Sequence, residues 1–232
     1  MKKKIAALSM AACMAASVTA CGGSKPAETT AAATEAETTA AESAAEESSA
    51  EETKAAADIE TVTPGKLTVA TSPDFAPYEF YAIGEDGTPK LAGFDMDLAQ
   101  YIADYLGLEL EVVTVDFDGV ISELQTKSVD LGMAGLSPDE KRMGIMDFSD
   151  LYYMGGQSLV TVKDNAEKYN SFEAINKPDV SVGAQVGSIQ MDLANENSPE
   201  ADIVGLPKVT DIISELLTGK MDAAYIETDV AK

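Results

Sequence analysis

Two stretches of this chain repeat one plan. Ile121–Gly135 (ISELQTKSVDLGMAG) and Ile213–Glu227 (ISELLTGKMDAAYIE) align without a gap and agree at six of fifteen positions. Each reads as an amphipathic helix, a polar turn and an apolar strand. A helix–turn–strand unit written twice predicts two lobes of the same α/β design. The alignment also sets Gly135 and Glu227 at matching strand ends. Open α/β sheets bind ligands beyond the carboxyl ends of their strands. Two facing lobes would then put Gly135 and Arg142 on one side of a cleft and Glu227 on the other.

The flanking sequence fits an alternating α/β chain. Lys66–Thr71 is a strand, and Ser72–Phe80 is a loop stiffened by Pro73 and Pro77. A turn at Glu85–Gly87 precedes a helix that opens at Gly93–Leu98 and stops at Gly107. Phe94, Leu98, Ile102 and Leu106 share one face of it. Asp95 and Asp97 fall in its first turn, where carboxylates suit the helix dipole. They are read as structural, since no further converging oxygens mark a metal site. Leu108–Val115 is a second strand, and Val120 to about Lys127 a helix. Further strands are expected over Gln157–Lys163, Val180–Ala184, Ile203–Leu206 and Asp222–Ile226, with helices to about Asn195 and over Val209–Leu217. Such alternation predicts largely parallel sheets.

One stretch carries chemistry. Val129–Leu136 reads as a strand running into Ser137-Pro138-Asp139-Glu140. That sequence predicts a helix start with Ser137 as N-cap, Pro138 at the first position and Glu140 completing a capping box. Arg142 follows within the first turns. Free backbone N–H groups beside a guanidinium make a site for a carboxylate. The competing reading leaves Ser137 as a cap only and Arg142 as a surface residue of an acidic protein.

Composition narrows the rest. A net charge of −24 disfavours nucleic-acid binding, because little basic surface is available to neutralise phosphates. The chain has no His, so the commonest general base and metal ligand is absent. No metal or cofactor is expected. Residues 1–20 read as an export signal, with Lys2–Lys4 ahead of a short apolar run. Residues 21–60 are rich in Ala, Glu, Thr and Ser and are expected to form a disordered acidic tether. With Cys13 in the signal, Cys21 is the only other cysteine, so no internal disulfide is expected. Val18-Thr19-Ala20-Cys21 resembles the lipobox of bacterial lipoproteins. That resemblance implies lipid attachment at Cys21 and a protein held on the outer face of the cell membrane.

From Lys66 onward the chain carries Ala70–Phe80, GFDMDLA at 93–99, AGLSPDEKR at 134–142, DFSDLYY at 147–153, GAQVGS at 183–188 and GKMDAAYIE at 219–227. In these motifs and their order it resembles the bacterial extracellular solute-binding proteins of family 3, which serve amino-acid ABC importers. It implies a two-lobed, type II periplasmic-binding-protein fold, with lobe 1 over 61–157 and lobe 2 over 158–232. It implies an amino-acid ligand, a membrane permease as partner, a monomer and no enzymatic activity. Ala134 and Gly135 fall at the cleft, with the Gly135 carbonyl offered to the ligand α-ammonium. Arg142 falls on the arginine that binds the α-carboxylate, with Ser137 beside it. Ser188 matches a hydroxyl residue of the second lobe, in the loop that carries Gln185. Glu227 stands where the family usually has Asp for the α-ammonium. Phe75 and Phe117 match aromatics that sandwich the ligand side chain, and Phe117 fits core packing equally well.

Two departures accompany the likeness. Asp139 replaces a common Thr or Ser. Family members usually cross back to the first lobe through a second hinge strand, whereas this sequence has one candidate crossing, Gly156–Lys163, so the closing segment is expected to be missing. Asp74, Asp118 and Asp139 point toward a polar or cationic ligand. The alternatives are a dehydratase-like enzyme of the same fold, or a ligand-sensing domain.

Overall fold

The computed structural model describes residues 59–232. The expected leader, Cys21 and all but the last two residues of the expected tether lie outside the described residues.

The described chain opens on β1 (Lys66–Thr71), followed by β2 (Asp74–Phe75), β3 (Glu79–Ile83) and β4 (Pro89–Ala92). Then come α1 (Phe94–Leu106), β5 (Glu109–Thr114), α2 (Phe117–Gln125), β6 (Leu131–Gly132) and a short α3 (Glu140–Met143). The second half runs β7 (Gln157–Val160), α4 (Phe172–Ile175), β8 (Ser181–Gln185), α5 (Ile189–Asn197), β9 (Asp202–Leu206), α6 (Val209–Leu217) and β10 (Ala223–Glu227).

Two main sheets result. In the first lobe the order is β5-β1-β6, all parallel. In the second it is β7-β10-β8-β9, parallel except for the antiparallel edge strand β7. The two-residue period of a strand sends alternate side chains to opposite faces. Leu67 and Val69 of β1 therefore pack with Ala99 and Ala103 of α1, while Ala70 packs with Phe117 and Val120 of α2. On β10, Ala223 and Tyr225 join Ala184 and Ala194, whereas Ala224 and Ile226 join Ile212 and Leu216 of α6. Each sheet is thus covered on both faces, as parallel sheets require. Fully burying a side chain such as Ile212 contributes about 1.5–3 kcal/mol.

The repeat seen in the sequence corresponds to α2–β6 in one lobe and α6–β10 in the other. Gly107 ends α1 in the left-handed conformation (φ 66°, ψ 29°), its N–H donating back to Ala103 and Asp104.

Three expectations need correction. Residues 72–92 are not only loop and turn: β2, β3 and β4 form a small antiparallel sheet beside the first lobe. Its strands are short, and Pro89 opens an edge strand where no ladder N–H is needed. Helix α2 starts at Phe117 rather than Val120. The strand expected over Val129–Leu136 is regular only at Leu131–Gly132, although the Met133 N–H still donates to the Ala70 carbonyl (2.9 Å).

Candidate functional site

A cavity of about 130 Å³ lies between the two sheets, space for a small molecule rather than a single water. The carboxyl ends of β6 and β10 both lead to it, through Gly135 and Glu227. Phe75, Phe117, Ser137, Arg142 and Gln185 line it as well. The structure therefore brings together seven of the nine candidate side chains. Ala134 and Ser188 are buried close by without lining the cavity.

Arg142 is only 5% exposed. Its Nη1 donates to the Ser137 carbonyl (2.8 Å), and its Nη2 to the Gly187 carbonyl of the second lobe (3.0 Å). Nε faces Asp139 Oδ2 at 3.3 Å. A guanidinium has five N–H groups, so one hydrogen on each Nη is left for the cavity. The guanidinium lies over the Phe117 ring at 5.6 Å. Burial pushes the Arg142 pKa down, and Asp139 and Asp192 oppose that shift.

The cap of α3 differs from the sequence expectation. Asp139, not Ser137, is the N-cap: its Oδ1 accepts from the Arg142 backbone N–H at 2.9 Å. The helix begins at Glu140, two positions later than a Ser137 cap allows. The Asp139 carboxylate holds both the N–H and the side chain of Arg142, a double contact unavailable to Ser137. Ser137 contributes its carbonyl instead.

Glu227 is 6% exposed and ends β10. Its Oε2 accepts the N–H groups of Asp229 (2.6 Å) and Val230 (3.0 Å). Its Oε1 is buried without a hydrogen-bond partner among the described residues. A buried, unpaired carboxylate oxygen is costly, and here it belongs to a residue that lines the cavity. Gly155 makes room for it: a Cβ there would stand 2.5 Å from Oε1.

Gly135 has φ +57°, and a Cβ on it would meet Phe75 Cε1 at 3.0 Å. Its N–H donates to Asp95 Oδ2 at 3.1 Å. Phe75 stacks on Tyr78 with ring centres 5.5 Å apart. Ser188 caps α5, accepting from the Met191 N–H and donating its own proton to the Gln185 carbonyl at 2.7 Å. Gln185 Nε2 donates to the Pro207 carbonyl at 3.0 Å.

None of the three aspartates singled out from the sequence lines the cavity. Asp74 accepts from the Val209 N–H at the start of α6, Asp118 packs against Gly187, and Asp139 caps α3. Asp150 lines it instead, together with Tyr78, Tyr152, Tyr153, Gln157 and Gln190. Asp150, Tyr152 and Tyr153 belong to the DFSDLYY segment, whose sequence carries family likeness but no periodic signal for which side chains face a ligand. Among the described residues no group of three or more acidic or Cys side chains could hold a metal ion.

Two α/β lobes around a ligand-sized cavity define a periplasmic-binding-protein-like fold of type II. Residues 67–200 match the model of the bacterial extracellular solute-binding proteins, family 3. The chain is 36% identical over 169 residues to the arginine-binding extracellular protein ArtP of Bacillus subtilis, covering 72% of this chain and 63% of that one. It is 30% identical over 158 residues to the cyclohexadienyl dehydratase of Pseudomonas aeruginosa, covering 68% and 58%. Among solved structures, an amino acid ABC transporter substrate-binding protein from Streptococcus pneumoniae bound to L-arginine superposes with a TM-score of 0.69 at 38% identity, covering 72% of this chain and 68% of that one. The chain belongs to the bacterial extracellular solute-binding proteins of family 3. It spans less than two thirds of the length of the two named relatives.

Proposed function

We propose that this protein captures an amino acid between its lobes for delivery to an ABC permease. The observation that carries the reading is the unpartnered Oε1 of Glu227 in the cavity that also holds Arg142. A free amino acid bears a carboxylate and an ammonium on one carbon. Arg142 takes the carboxylate with its remaining N–H groups. Glu227 takes the ammonium with Oε1, helped by the Gly135 carbonyl, so the charges on both sides become paired. Phe75 and Phe117 flank the side chain. Ser137 and Gln185 complete the polar wall, and Ser188 acts through the start of α5.

The ligand class proposed is a polar or cationic amino acid. ArtP is named for arginine, and the Streptococcus structure holds L-arginine. Asp150 supplies an acidic group in the same cavity. The proposal includes lobes meeting near residue 157, a tether over 21–60 and lipid attachment at Cys21, which keeps a monomeric receptor at the outer face of the membrane. Catalysis is a second reading, supported by the dehydratase relative.

Thermal-shift measurements against the twenty amino acids, repeated with Arg142→Ala, test this. A ligand that binds only the folded state raises the melting temperature. We expect one or a few amino acids, L-arginine among them, to do so in the parent protein and none in the variant. A clean melt that no amino acid moves would overturn the reading. Turnover of a cyclohexadienyl acid would establish the second.

A further inference from the structure

Two carboxylic acids lie together beneath the cavity wall, with no cation beside them among the described residues. Glu79 in β3 and Asp95 in the first turn of α1 are each 0% exposed. The start of α1 is pressed onto the start of β3: the Phe94 and Asp95 N–H groups donate to the Pro77 and Tyr78 carbonyls, at 3.0 and 2.9 Å. This places the two carboxyl groups side by side. Asp95 uses both oxygens, Oδ2 for the Gly135 N–H and Oδ1 for the Tyr152 hydroxyl, each at 3.1 Å. Among the described residues no N–H or hydroxyl reaches either oxygen of Glu79.

Asp95 has the donors that an ionised carboxylate needs, and Glu79 has none. Two carboxylates side by side out of water, one of them without donors, cannot both stay charged. We propose that Glu79 is protonated and donates its proton to Asp95, and that the ionised Asp95 positions the cavity wall through Gly135 and Tyr152. Both are positioning residues, since neither lines the cavity. The effect on ligand affinity rests on the amino-acid reading above; the shared proton does not.

The other charged and titratable groups around Glu79 are Asp74 from β2 and Tyr152 from the 148–153 segment, besides Asp95 from α1. Burial, followed by the Asp95 charge, pushes the Glu79 pKa up from 4.5 to about 10. Across that window the unfolded chain has lost this proton and the folded chain keeps it. Folding takes up a proton, so the Glu79 contribution to stability falls as pH rises from 4.5 toward about 10.

The test compares the whole chain with Glu79→Gln, Asp95→Asn and Tyr152→Phe. Urea unfolding is followed from about pH 5.5 to about pH 8.5, and affinity for L-arginine is measured by calorimetry. One shared proton changes the folding equilibrium by about tenfold per pH unit, and Glu79→Gln should remove that contribution. Glutamine mimics the protonated acid and donates to Asp95, so its affinity should stay within about twofold. Asp95→Asn loses a charged acceptor and should weaken binding by about tenfold or more. Tyr152→Phe should fall between them, and the pH slope of the parent against Glu79→Gln carries the test if Asp95→Asn does not fold. Parallel pH dependence of the parent and Glu79→Gln would overturn the shared proton. Equal loss of affinity in Glu79→Gln and Asp95→Asn would overturn the positioning role. A chain that binds no amino acid would sink the amino-acid reading alone, because the pH slope still decides the state of the pair.

Discussion

Asp130 and Asp222 make the same contact in the two lobes. The Thr68 N–H of β1 donates to Asp130 Oδ2 (2.8 Å), while the Asp130 N–H donates back to the Thr68 carbonyl (2.9 Å). Ser181 at the start of β8 and Asp222 exchange the same pair of bonds, both at 3.0 Å. The second oxygen ties in a distant segment, through the Val62 N–H in one lobe and the Tyr169 hydroxyl in the other. The aspartate shared by the two sequence repeats is therefore a clip that sets a helix–turn–strand unit beside its neighbouring strand. Asp222→Ala leaves the Ser181 N–H and the Tyr169 hydroxyl without their charged acceptor. Bonds to a charged acceptor contribute about 1.5–3 kcal/mol each. The variant should lose at least about 2 kcal/mol in urea unfolding, and Asp130→Ala a comparable amount.

Asp74 caps a helix that belongs to the other lobe. Lys208, at the N-cap position of α6, makes no side-chain cap, and the Val209 N–H is taken by Asp74 Oδ2 at 2.5 Å. The capping bond exists only while the lobes are together. Losing a cap costs about 1 kcal/mol. Asp74→Ala should therefore weaken amino-acid affinity by about fivefold. It should also enlarge the radius of gyration measured by small-angle X-ray scattering.

Gly155 leaves space for the Glu227 carboxylate. Alanine there would put its Cβ 2.5 Å from Oε1, while Oε2 is held by two backbone N–H groups. The carboxylate has to turn away from the cavity or release those bonds. Gly155→Ala should cost about tenfold or more in affinity, as expected of a buried anchor, with little change in melting temperature. An unchanged dissociation constant in calorimetry would mean that Glu227 does not face the ligand.

Arg142 holds the Ser137 and Gly187 carbonyls while presenting N–H groups to the cavity. Lysine keeps the charge but not the planar fork. Arg142→Lys should lower affinity by about tenfold or more, and Arg142→Ala should lower it further. Equal affinities for Arg142→Lys and the parent protein would exclude a two-bond grip on the ligand carboxylate.

Much of the fold was legible because it depends on local period and punctuation. The periodicity predicts α6 with its observed bounds, Val209–Leu217, and the Gly107 stop of α1 follows from the left-handed conformation it adopts. The β2–β4 sheet was hidden because its strands are short and the prolines within and before it signal loop. The segment that carries Asp150, Tyr152 and Tyr153 has no regular structure, so periodicity could not say which of its side chains turn inward.

The sequence by itself pointed to the two-lobed plan, since a helix–turn–strand unit written twice supplies each sheet with its own covering helix. It also set Gly135 and Glu227 at equivalent strand ends, because the repeat aligns without a gap. Only the tertiary structure decided which polar groups meet. It made Asp139 the cap of α3 and Asp74 the cap of a helix in the opposite lobe. It turned Asp95, read from the sequence as a first-turn carboxylate, into a support for Gly135 beside a buried Glu79. These are contacts between segments far apart in the chain. Their energies depend on burial and partner geometry, and spacing along a sequence encodes neither.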